Sequence, residues 1–78
     1  MSSFITPAQC RAARALVNMT IDQLYRDSVV PRLVIEAFEA GEAKLKQADL
    51  DAIRHALRQA GVVFLAGNGG KIGVRLKS

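Results

Sequence analysis

Two spacings divide this chain. As far as Ala60 the apolar residues recur every three or four positions, as one face of a helix requires, and after Gly61 they alternate with polar or small ones, as in a half-buried strand. The pattern predicts four helices, over about 7–17, 21–28, 31–40 and 47–60. A hairpin over about 62–76 follows. The fold class is therefore mainly α, a compact four-helix domain with a C-terminal β-hairpin. All 78 residues fit one such domain, and no repeat or low-complexity stretch interrupts it.

Local chemistry marks the helix starts. Thr6 with Gln9, and Thr20 with Gln23, carry the Thr-x-x-Gln spacing of a capping box, and Pro7 suits a first helical position. Ile5 with Cys10, and Met19 with Leu24, are placed as hydrophobic staples around them. Ala8, Ala12, Ala15 and Leu16 are expected to form the contact face of the first helix, and Cys10 reads as a small buried hydrophobe rather than a reactive thiol. Leu50, Ile53, Leu57 and Ala60 give the last helix its buried stripe, with Gly61 as its stop. Residues 1–4 read as a loose tail and Gly67, Asn68, Gly69 and Gly70 as the turn of the hairpin.

The central stretch, Thr20 to Gly41, reads as two short helices meeting at a corner. Leu24, Ser28, Val30, Ile35 and Phe38 make a small or apolar line that bends from one helix to the next, and Gly41 can take the left-handed turn that ends the second. ITPAQCRAARAL, IDQL, VIEAFEAG, LDAIRHALRQAGVVF and GNGGKIGVRL, in that order and spacing, resemble small bacterial helix-turn-helix regulators of the phage-repressor (Cro/C1, XRE-like) family. The resemblance runs from Ile5 to Leu76. It implies a dimer that binds operator DNA with the second helix of the motif in the major groove.

The motif itself departs from that family. Ile21 stands where the family usually opens with Gln, Tyr25 where it has a small Ala, Val29 where it has the corner Gly, and Pro31 where it has a capping Ser or Thr. A β-branched residue tolerates positive φ poorly, so Val29 predicts a corner of different construction. Pro31 is expected in the first helical position, with no capping oxygen on Val30 before it. Ile35 and Phe38 should point inward, leaving Arg32, Leu33, Val34, Glu36, Ala37 and Glu39 to face out. Of these only Arg32 is an obvious base reader, and the glutamates would meet phosphate repulsion. An apolar patch of Tyr25, Val29, Leu33 and Val34 usually marks a contact site on a soluble protein. Rotating the helix by one position would instead put Leu33 or Val34 in the core.

Composition narrows the classes. Half the residues are apolar, enough for a core, and one cysteine excludes an internal disulfide framework. With no signal peptide and no long apolar run, the expected setting is cytoplasmic and free of membrane. The net charge of +4 suits nucleic acid or an acidic partner surface, but its cations are spread along the chain and do not converge on the second helix of the motif. His55 is alone, without a second ligand at metal spacing, so no metal or cofactor is expected. Lys71 in GNGGKI is followed by Ile72, not the Ser or Thr of a phosphate-binding loop. No catalytic constellation is present, and an enzyme is not expected.

Two functions remain. In the first, a transcription-control protein grips another protein through Tyr25, Val29, Arg32, Leu33, Val34, Glu36 and Ala37, for example as an antiactivator that sequesters a transcriptional activator. In the second, it is a dimeric operator-binding regulator with Arg32 on bases and Arg11, Arg14, Arg26 and Lys44 on phosphates. A two-stranded hairpin is marginal alone, so it either folds over its own core or pairs with a second copy to form a homodimer.

Overall fold

A computed structural model describes residues 5–66 and 72–77. The expected tail and hairpin turn lie outside the described residues. Four helices are followed by an antiparallel pair of strands: α1 (Pro7–Leu16), α2 (Ile21–Ser28), α3 (Arg32–Glu39), α4 (Gln47–Gln59), β1 (Val62–Ala66) and β2 (Ile72–Leu76). The predicted fold class is the observed one. Among the described residues no helix is long and apolar enough to cross a membrane.

Both capping boxes form. The Gln9 amide donates to Thr6 Oγ1 at 3.1 Å while the Thr6 amide donates to Gln9 Oε1 at 2.9 Å, and the Thr20 and Gln23 pair does the same at 3.0 and 2.8 Å. Each reciprocal pair satisfies amides that a helix start would leave bare, a contribution of about 1 kcal/mol per cap. α3 has no side-chain cap, as its sequence implies, and Pro31 sits just before the helix rather than in its first position.

The core is one cluster that draws Cys10 and Ala13 from α1, Leu24 from α2, Ile35 and Phe38 from α3, Leu50, Ile53, Ala56 and Leu57 from α4, and Val62 from β1, with Ile5 and Val30 beside them. The bent line through the corner is therefore buried as expected. α1 differs from expectation. Its buried face is Gln9, Cys10 and Ala13, whereas Ala8, Ala12, Ala15 and Leu16 are exposed.

Polar contacts turn α1 that way. Gln9 completes its cap with Oε1 and reaches the hairpin with Nε2, donating to the carbonyls of Gly73 at 3.2 Å and Leu65 at 3.5 Å. One turn on, Arg14 grips the carboxylate of Glu39 with two parallel bonds of 2.7 and 2.6 Å. Cys10 donates its thiol proton to the same carboxylate at 3.0 Å, and Arg11 Nη1 donates to the Glu39 carbonyl. Glu39, expected on the outer face of α3, is instead buried and ties α3 to α1. A carboxylate can be buried only where donors of this kind satisfy it.

Strand alternation follows the sequence. Val62 is buried, and Phe64 and Val74 pack on the core from positions that lie opposite each other in the register. Val63 and Leu65 belong to the other face, with Leu65 exposed. Arg54 of α4 stands over the Phe64 ring, 5.9 Å from its centre.

Candidate functional site

The candidate site is the corner between α2 and α3. Ser28 holds it from inside: its hydroxyl donates to the Leu24 carbonyl at 2.7 Å and accepts from the Val30 amide at 3.2 Å. Between them Val29 takes φ 64° and ψ 11°, the left-handed conformation, with its amide bonded to the Tyr25 carbonyl at 2.7 Å. The expectation of a differently built corner is thus overturned. The packing of Leu24, Val30 and Ile35 dictates the turn, and valine accepts it.

That acceptance has a cost. A left-handed residue with a Cβ is strained by about 1–2 kcal/mol, and a β-branched one belongs at the unfavourable end. Burial does not offset it, because the Val29 residue is 76% exposed. Such strain, held in place by its surroundings, clusters at sites where the outward side chain has a task.

Beside Val29 lie other exposed apolar groups. Leu33 is 78% exposed, Tyr25 41%, and Pro31 is exposed as well. Tyr25, Pro31 and Leu33, with Asp22, Arg26 and Arg32, line an open cleft of about 560 Å³ between the two helices. Arg32 Nη1 donates to Asp22 Oδ1 at 3.0 Å across this cleft. Both ends of that ion pair are well exposed, so it holds the guanidinium only weakly. Asp22 was not singled out in the sequence, and Pro31 only as a helix-start residue; the acidic first turn of α2, ten residues before Arg32, was the available signal for the ion pair.

The remaining candidates divide. Glu36 is exposed on α3, while Ala37 is half-buried. Val34 is half-buried and packs against the core, so it does not belong to the open patch with Leu33. The helix is rotated so that Leu33 alone of the two stands free.

The phosphate candidates do not gather. Arg26 and Arg32 border the cleft. Arg11 and Arg14 end on Glu39, at the far end of α3, about 10 Å along the helix from Arg32 at 1.5 Å per residue. The Glu39 contact and burial act on Arg14 in opposite senses; the contact is the larger and raises its pKa, so the cation is held firmly. Lys44 lines a different cleft, with Ile5, Phe38 and Leu50. Around the corner Arg26 and Arg32 are matched by exposed Asp22, Asp27 and Glu36, so the face an operator would meet is not cationic. No family model matches the chain, and no curated protein matches it.

Proposed function

We propose that this is a transcription-control protein which acts by gripping another protein, such as a transcriptional activator held inactive, through the exposed apolar corner of a helix-turn-helix scaffold. It is a binding protein and not an enzyme, working without metal or cofactor. The observation that carries the reading is Val29 and Leu33 standing in solvent at the position where a DNA reader presents polar side chains. Covering one such aliphatic side chain contributes about 1.5–3 kcal/mol, so two or three of them suffice as anchors for a partner. The mixed charges of the corner support the same choice, since phosphate binding draws on converging cations. The phage-repressor resemblance supplies the ancestry, with Tyr25, Val29 and Pro31 as the changes that favour a protein partner.

The test pairs two assays. The chain immobilised through its C-terminus is expected to retain a transcription regulator from a bacterial extract, and the purified regulator should lose its own promoter binding when the chain is added. Leu33→Asp should abolish both effects while leaving the fold intact. Sequence-specific binding of the chain to DNA that falls steeply with salt and vanishes on Arg32→Ala would overturn the reading in favour of an operator-binding regulator.

A further inference from the structure

The cleft between α2 and α3 is lined by three apolar or aromatic residues, Tyr25, Pro31 and Leu33, and by three charged ones, Asp22, Arg26 and Arg32. All six are exposed, and the cleft holds about 560 Å³. A groove between two helices can receive a third, whose apolar face it covers. Its charges are unequal: two arginines stand against one aspartate, a surplus of one cation. The acids that balance the wider corner lie elsewhere, since Asp27 lines two other clefts and Glu36 is not among the lining residues.

Neither arginine is used up by its own chain. The ion pairs among the described residues join Arg14 to Glu39 and Arg32 to Asp22, so Arg26 has none there. Arg32 gives Asp22 a single bond, from Nη1 at 3.0 Å, while a guanidinium offers several further N–H donors. That pair is exposed at both ends, so Asp22 returns to water at little cost when another carboxylate takes the guanidinium.

We infer, on the basis of the function proposed above, that this cleft receives an acidic amphipathic helix of the partner protein. The helix seats one large apolar side chain against Tyr25, Pro31 and Leu33 and brings carboxylates, one turn away on the same face, to Arg26 and Arg32. Arginine suits that task because its planar fork takes a carboxylate by two parallel bonds. A basic helix would meet two like charges in the cleft. A nucleic-acid strand would satisfy the arginines but leave the apolar residues wet, so only a ligand with both features uses the whole lining. The net charge of +4 adds attraction at longer range and speeds the encounter with an acidic surface.

The test follows amide chemical shifts of the full chain titrated with three synthetic peptides of about 15 residues, long enough to form a helix. The first carries one leucine with glutamate four residues before and after it, the second has lysine for both glutamates, and the third has alanine for the leucine. The first should move the Tyr25, Val29 and Leu33 signals and bind at least about tenfold more tightly than either of the others. Its affinity should fall severalfold between about 50 and about 500 mM NaCl. Arg26→Glu combined with Arg32→Glu, both at exposed positions and with the fold checked in the same spectra, should transfer the preference to the lysine peptide. Equal or tighter binding of the lysine peptide to the unaltered chain would overturn the inference and leave the corner as a protein-binding face. So would the absence of shifts up to about 1 mM peptide, while a regulator retained by the chain and lost on Leu33→Asp would still uphold the corner. Shifts confined to residues away from the corner would overturn both. The same Tyr25 and Leu33 shifts produced by a DNA duplex of random sequence would assign the cleft to nucleic acid instead.

Discussion

Replacing Val29 by glycine should make the protein more stable and less able to bind. The perturbation removes a β-branched side chain from φ 64°. Relief of left-handed strain contributes about 1–2 kcal/mol, and the added freedom of glycine in the unfolded chain takes back about 0.5–1 kcal/mol. Hardly any packing is lost, since Val29 is 76% exposed. The net is a gain of about 0.5–1 kcal/mol, or roughly 2–8 °C in Tm for a domain of this size. Urea unfolding followed by circular dichroism measures it directly, with the midpoint rising at constant slope. Val29→Asn, which tolerates the same conformation, should also gain, whereas Val29→Ala should gain far less. A drop in stability for both Gly and Asn would refute the account of the corner, because it would mean that the valine side chain holds the fold together. On the proposed function, partner binding should weaken in both, the reverse of their effect on stability.

Further outcomes follow from the same geometry. Glu39→Gln should cost about 2–3 kcal/mol in urea unfolding, because it leaves the buried fork of Arg14 without its charge partner. Val34→Asp should destabilise the fold, whereas Leu33→Asp should shift stability by less than about 0.5 kcal/mol, which makes only the latter a clean probe of binding. Burial, reinforced by the Glu39 carboxylate, pushes the Cys10 thiol well above its ordinary value of 9.0. The folded state thus keeps a proton that the unfolded state releases, so this contribution to stability is complete below pH 9 and declines as pH rises above it, by at most about 1.4 kcal/mol per pH unit. Cys10→Ala, measured from pH 7 to 10.5, should lack that decline, and the wild-type thiol should react with a disulfide reagent only as fast as the fold opens.

What could be read from the sequence was local. Thr6 with Gln9 and Thr20 with Gln23 are contacts over three residues, and the alternation after Gly61 needs only its own strand. The orientation of α1 was not legible in the same way. The residues expected to face inward were three alanines and a leucine, and alanine fits a helix face whether buried or not. The facing was decided by Gln9 reaching carbonyls up to 64 residues away and by Cys10 and Arg14 meeting Glu39, none of which has a short-range signature. Glu39 was misplaced for the same reason: an acid on a short helix reads as solvated until its distant arginine is known. At the corner, a propensity argument against positive φ lost to the packing on either side of it. The patch was legible at Tyr25, Val29 and Leu33, where side-chain chemistry and helix phase agree, and failed by one position at Val34.

The bond set on Glu39 also bears on how fast the proposed partner would be captured. α3 is fastened near its end by a guanidinium fork, a thiol and a second arginine, so it has little freedom to rock against α1. On the proposed function, a partner arriving at Leu33 would meet a surface already in its final shape, and the association rate is expected to be limited by diffusion and orientation rather than by refolding of the receptor.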